Sequence, residues 1–402
     1  MSEQQTILIK HQENGSTHLN LLLFLWGGIF TFVCFYSSMT ILPLYVFELG
    51  GTEFDTGLQT TLFYLASILM RFYFGPLTDR KGRKVPLMIG AFVFATSSIL
   101  FLYCDSVLLV TLARIYHAVG LASFFSSGGS LIVDLAPSNR VGVYIGLYRM
   151  TYVLALLIGP SLALAVINSH NFQVWFVISF IIGLMSLLCI YFVKTPVQGI
   201  RETSGSFEKF KMVLKEKASY QVFFGIAMSA LAFGALLTFV VLFTSQNTDI
   251  INPGLYFTYF SLVGILGNLG SGYLSDHFGR AEIVWPSIML VGIGVGILYF
   301  IPWIPSVLWV SSITAGLGYS GAMAALAAWL VEVTDKDNRG TVVALQESVI
   351  DLSIGVASFI FGTVSGFAGM GGAFAFIGGI VLLLSIIKLL SFCSFWQAYH
   401  HK

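Results

Sequence analysis

Three arginines and two carboxylates stand inside stretches of the chain that are otherwise apolar. They are Arg71 in LMRFYFG, Arg114 in VTLARIYHAVG, Arg149 in GLYRMTYV, and Glu347 with Asp351 in QESVIDLSIG. Charge in such surroundings is costly unless paired or wetted, so each is a candidate for ion pairing or proton carriage. Asp351 follows Glu347 by one helical turn on the same face. Arg71 lies eight residues before Asp79, and Glu347 eight after Arg339, which places both at a similar helical depth of roughly 12 Å. His117 adds an imidazole, whose ordinary titration range spans neutral pH. A second concentration of charge is GPLTDRKGRKVPL at 75–87, in a chain of which only 10% is charged.

The elements that must position these groups are membrane helices. The 402 residues are 56% hydrophobic and 15% aromatic, with a mean hydropathy of +0.86, beyond what a soluble domain carries. Apolar stretches long enough to cross about 30 Å of hydrocarbon recur along the chain. Twelve are expected, near 20–46, 57–78, 85–104, 107–133, 142–167, 172–193, 220–244, 254–275, 283–302, 306–331, 341–366 and 372–395. The connections on one side gather Lys and Arg, whereas the others hold Glu48, Glu53, Asp55, Asp105 and Asp249. The positive-inside bias then predicts a multi-pass protein of the cell membrane with both termini cytoplasmic. The first span is too long and aromatic for a cleaved signal. Cys34, Cys104, Cys189 and Cys393 stand singly and read as small apolar residues. No metal site, cofactor, nucleic-acid partner or catalytic constellation is expected. GLGYSG at 316–321 matches a dinucleotide pattern but lies within a span, where small residues serve helix packing.

The chain also repeats itself. GYLSDHFGRAEIV at 272–284 echoes the basic motif in register, with Asp276 and Arg280 answering Asp79 and Arg83. VDLAPSNRVG at 133–142 is answered by VEVTDKDNRG at 331–340. A duplicated six-span unit follows. Its expected parts are a tail 1–18, a six-helix bundle 19–193, a linker 194–219, a second bundle 220–395 and a tail 396–402. KFKMVLKEK in the linker reads as a basic amphipathic surface helix or as a solvated loop.

Two such halves with G-x-L-x-D-R-x-G-R-K between spans 2 and 3 resemble the major facilitator superfamily of secondary transporters. The resemblance implies an all-α membrane fold of two pseudo-symmetric six-helix bundles that rock about a midplane site. It implies that Gly75 and Gly82 allow close approach of helix ends. Asp79, Arg83, Asp134 and Arg140 would form a conformational latch, with Asp276, Arg280, Glu332 and Arg339 as its counterpart. Spans 2 and 11 would touch, so that Arg71 could pair with Glu347 near the inner gate; the repeat maps a second contact onto Arg149 and Asn268. Arg114 resembles the family's proton-coupling arginine, with His117 and Ala118 where Gln and Gly are usual. Gly159-Pro160 is similar to part of an exporter motif and points to antiport, with a helix kink or close packing as the alternative reading. Tyr36, Ser37, Ser126, Thr238 and Tyr319, in spans 1, 4, 7 and 10, are the expected cavity residues. The absence of carboxylates from those spans, save at the end of span 10, argues against a strongly cationic solute. The expected function is proton-coupled efflux of a small organic solute by a monomer. The alternatives are uptake of a sugar-like metabolite, hinted at by D-x-A-P-x-x-R-x-G at 134–142, and a non-transporting receptor on the same scaffold.

Overall fold

A computed structural model describes residues 3–137, 139–195, 217–334 and 339–400, with side chains left undescribed at the two ends and at a few internal positions, Asp79 and Arg339 among them. The first half has six helices: α1 Glu3–Glu48, α2 Glu53–Lys81, α3 Lys84–Leu102, α4 Val107–Leu135, α5 Val141–Ser169 and α6 Phe172–Phe192. The second has α7 Lys217–Asn247, α8 Leu255–Phe278, α9 Arg280–Gly296, α10 Val307–Glu332 and the run Arg339–His400. That run breaks at Gly369, at φ 69° and ψ 166°, into α11 and α12. Both expected tails continue as helix, and the linker lies almost wholly outside the described residues.

Local chemistry sets the helix ends. Thr52 and Asp55 form a reciprocal capping box at the start of α2, and Asn171 caps α6; each satisfies amides that a first turn leaves without acceptors. Gly82 (φ 82°) ends α2 and Gly279 (φ 102°) ends α8. The repeat therefore extends to a backbone conformation that side chains oppose. Gly75, expected to permit close approach, has nothing within 4 Å of where a Cβ would be.

Among the described residues, nine helices are long and apolar enough to cross a membrane by composition alone, with α11 and α12 counted as one run. The two short of that threshold are α2 and α8, which the repeat relates. Several of their polar residues face protein rather than lipid: Thr56, Gln59, Thr60 and Ser67 on α2 are buried, as are Ser261 and Ser275 on α8.

Helix pairings recur in the two halves: α2 with α4 and α8 with α10, α3 with α4 and α9 with α10, α3 with α6 and α9 with α12. Glycines set the closest crossings, as at Gly90 against Phe124 and Gly318 against Ser287 and Val291. The halves meet through α2 on α11, α5 on α8 and α1 on α7. These contacts concentrate at the end that carries Glu48, Glu53 and Asp105, the acidic end. There Gly57 lies on the Ser358 carbonyl, Gly362 on that of Glu53, and Gly254 on that of Pro160. Among the described residues, four side chains bond to backbone across the boundary: Thr61 Oγ1 to Gly355 O at 2.8 Å, Thr258 Oγ1 to Leu157 O at 2.8 Å, Asn252 Nδ2 to Ser161 O at 2.9 Å and Asn168 Nδ2 to Ile251 O at 2.5 Å. Toward the basic end, positions in phase with that α5–α8 contact are open. Gly142, Gly146 and Gly272 have nothing within 4 Å of a Cβ, and Arg149 and Asn268 are exposed. The two bundles are thus closed at the acidic end and parted at the basic end.

Candidate functional site

Among the described residues the intramembrane charges sort into an ion pair, a carboxylate without one and two arginines without one, Arg114 buried and Arg149 exposed. Arg71 Nη2 lies 2.6 Å from Asp351 Oδ2, with both side chains largely buried. The contact is one of charge, since neither atom has a hydrogen-bond partner in proper alignment. Arg71 therefore pairs with Asp351 and not, as expected from depth, with Glu347. The direction of helical side chains explains the difference. Gly57 packs on Ser358 and Thr61 bonds Gly355, which makes α2 and α11 antiparallel neighbours. Side chains lean toward their own helix N-terminus, so Arg71 reaches toward the acidic end and meets the residue one turn beyond Glu347.

Glu347 makes no ion pair or hydrogen bond among the described residues. It lies within electrostatic range of the Tyr36, Tyr148, Tyr152 and Tyr319 hydroxyls. Those tyrosines come from both halves, on α1, α5 and α10. Aromatic packing holds them: Phe32 lies 4.3 Å from Tyr152 and 5.1 Å from Phe125 between ring centres, and Phe233 stacks on Tyr319 at 4.4 Å. The Tyr148 hydroxyl occupies the space that a side chain at Gly128 would need. Such a centre offers ring faces, hydroxyls and one carboxylate, a set suited to an amphipathic organic molecule.

The expected cavity residues divide. Tyr36 and Tyr319 belong to this centre. Ser37 and Ser126 instead donate to carbonyls of their own helices, at Val33 and Ala122, and Thr238 shares a hydrogen bond with Ser358 at 3.0 Å. Sequence reasoning missed Phe32, Tyr148 and Tyr152. A signal was present: Phe32 and Tyr36, like Tyr148 and Tyr152, stand four apart on one helix face.

The expected Arg149–Asn268 contact is absent. Both residues lie where α5 and α8 have parted. Gly159 and Pro160 sit within an unbroken α5, where Gly159 faces the Val33 carbonyl of α1 and the Pro160 carbonyl faces Gly254 of the other half. They serve close packing on two sides.

At the basic end Arg83 Nε donates to Asp134 Oδ2 at 3.0 Å and Nη1 to the Thr78 carbonyl at 3.2 Å. In the second half Arg280 bonds Glu332 at 2.5 Å and Asp276 at 2.6 Å. Arg83 is buried, whereas Asp276 and Glu332 are exposed. The Asp79 and Arg339 side chains lie outside the described residues, and Arg140 makes no side-chain ion pair among them. Arg114 and His117 are fully enclosed in the first half, and no carboxylate pairs with either among the described residues. A cavity of about 360 Å³ at the acidic end, lined by Leu44, Leu164, Asn168, Phe172 and Ser245 among others, contains no ionisable group.

A profile of the family described as Major Facilitator Superfamily matches residues 24–250 and again 222–402. Among curated proteins, a multi-drug resistance efflux pump PmrA homolog of Lactococcus lactis is 23% identical over 370 residues, 87% of this chain and 88% of its own. The quinolone resistance protein NorA of Staphylococcus aureus is 25% identical over 245 residues, 59% of this chain and 61% of its own. Among solved structures, a bacterial homolog of the human lysosomal transporter Spinster, inward-facing and unoccupied, aligns over 93% of this chain and 95% of its own. It has a TM-score of 0.74 at 17% identity. A POT family transporter aligns over 92% and 95%, with a TM-score of 0.78 at 12% identity.

Proposed function

This chain belongs to the Major Facilitator Superfamily, and from that premise we propose that it exports small amphipathic organic molecules in exchange for protons. The observation that carries the reading is Glu347, a membrane-embedded carboxylate with no ion pair among the described residues, within electrostatic range of four tyrosines of both halves. A solute with an apolar body and a basic or polar tip would stack on Phe32, Tyr152 and Tyr319 and place its tip at the carboxylate. A proton arriving on Glu347 would neutralise that partner and release the solute. Solute and proton thus compete for one group, which is the condition for exchange.

Asp351 would act one turn away. Protonating it removes the charge that holds Arg71, loosening α2 from α11 near the basic end and changing the balance between the two open states. With the basic end in the cytoplasm, the arrangement described above is open inward, ready to load. The Arg83–Asp134 pair and its Arg280 counterpart would hold helix ends of each half together as the halves rock. Export, rather than uptake, is supported by the names of the two relatives, which speak of multidrug efflux and quinolone resistance.

The test is Glu347→Gln in proteoliposomes with an imposed pH gradient, using a quinolone and a lipophilic dye as probes. The variant is expected to purify with an unchanged melting temperature and to lose gradient-driven flux. Undiminished proton-driven transport would remove Glu347 from the mechanism.

A further inference from the structure

Among the described residues, the interior of the first half contains a cation with no anion paired to it. Arg114 of α4 is wholly buried. Its Nη2 reaches the Met39 Sδ at 3.2 Å and its guanidinium carbon lies 4.5 Å from the centre of the Phe63 ring. Nε and Nη1 have no hydrogen-bond partner. A thioether and a ring face are weak acceptors, and a guanidinium does not shed its proton to escape burial.

The neighbouring face of α2 carries the complementary shortage. Thr56, Gln59, Thr60 and Ser67 fall on the same side of α2 as Phe63, turned away from the Gly57 and Thr61 side that meets α11. All four are buried, and their hydroxyl and amide groups have no hydrogen-bond partner. The Nδ1 of His117, one turn along α4 with its ring 5.4 Å from that of Phe63, is unpartnered as well. Buried polar groups in native proteins are nearly always satisfied, so a buried guanidinium stacked on Phe63, with unpartnered Gln59 and Thr60 one turn along the same face, points to an occupant. Water would supply hydrogen bonds but leave the charge uncompensated. An anion answers both needs, because the guanidinium, the Gln59 amide and the threonine hydroxyls are all donors.

We propose that Arg114, with Gln59 and Thr60, binds one small anion, a halide or a carboxylate, inside the first half. The site is separate from Glu347 and Asp351 and does not rest on the direction or coupling of transport. A free ion and the carboxylate of a transported solute present the same chemistry, and a binding assay distinguishes them.

Purified protein in methanesulfonate buffer, free of halide and carboxylate, is melted at fixed ionic strength with increasing chloride or bromide. It is also melted with a xanthene dye bearing a free carboxylate and with the methyl ester of that dye. Saturable stabilisation by halide identifies a free ion, and stabilisation by the acid dye but not its ester identifies a solute carboxylate. In either case Gln59→Leu is expected to raise the half-saturating concentration about tenfold or more, and Arg114→Gln to abolish the response. If Arg114→Gln does not fold, Arg114→Lys and Thr60→Val serve with Gln59→Leu. The proposal is overturned if neither halide nor acid dye raises the melting temperature, or if the response survives unchanged in these variants.

Discussion

Gly254→Ala is expected to push the protein out of the conformation described here. Gly254 has φ −64° and ψ −21°, values that alanine adopts without strain. The effect is therefore one of space alone. A Cβ there would lie 2.6 Å from the Pro160 carbonyl oxygen, 2.8 Å from its carbon and 2.9 Å from the Ser161 nitrogen. All three are backbone atoms of α5, so no side chain can swing aside. The carbonyl must retreat by at least 0.4 Å to reach the 3.0 Å below which real contacts essentially do not occur. That shift strains the Asn252–Ser161 and Thr258–Leu157 hydrogen bonds on either side. Overpacking of this kind costs about 1–3 kcal/mol, and the cost falls only on the state closed at the acidic end. The ratio of the two open states should then move by a factor of roughly 5 to 150. The assay is thiol labelling of single cysteines in a cysteine-free protein, with one at Leu164, buried beside the acidic-end cavity, and one at Arg149 at the open basic end. Gly254→Ala should speed labelling at 164 and slow it at 149. Gly272→Ala, where nothing lies within 4 Å of the new methyl group, is the control expected to change neither. Equal rates for Gly254→Ala and the control would refute the assignment of the α5–α8 contact as the closed gate.

Asp351→Asn alone should lower the melting temperature more than Arg71→Gln with Asp351→Asn together, because the single change leaves a buried guanidinium without its counter-charge, at a cost of about 3–5 kcal/mol; thermal melts in detergent measure the order. Arg83→Gln should destabilise more than Arg280→Gln, since Arg83 is buried against Asp134 while the acids facing Arg280 are exposed, where ion pairs contribute about 0–1 kcal/mol. Gly128→Ala should lower stability through its clash with the Tyr148 hydroxyl, and Tyr148→Phe should restore part of the loss. A cycle of melting temperatures with no coupling between these two positions would show that the hydroxyl lies elsewhere.

How much of this was legible beforehand depends on the kind of interaction. The motif at 75–87 and its copy at 272–284 announced Arg83 and Arg280, because those pairs are made between helix ends a fixed number of residues apart. The unpartnered side chains on α2 were not legible as a group. Thr56, Gln59, Thr60 and Ser67 look in sequence like ordinary polar residues of a weak span, and only the tertiary structure shows that they are buried without partners on the side of α2 that carries Phe63, on which Arg114 stacks. Ser37 and Ser126 were misleading for a related reason: a serine in a helix can satisfy its hydroxyl on the carbonyl one turn back, and nothing in the sequence shows that it has done so.

The sequence by itself determined the solvent, the number of crossings and the duplication. Each depends on local quantities: twenty-residue apolar lengths, the side on which Lys and Arg gather, and a repeat that can be read in register. It also placed Arg71 and Glu347 at a similar depth, with Asp351 one turn deeper, because helical rise is constant. Which carboxylate Arg71 meets, which end of the molecule is closed, and which tyrosines surround Glu347 were decided only by tertiary structure. Each of these depends on the crossing of two helices distant in the chain. Such crossings are set by glycine contacts such as Gly57 on Ser358 and Gly254 on Pro160, and by side chains leaning toward their helix N-termini, so a difference of one turn changes the partner while leaving the sequence pattern intact.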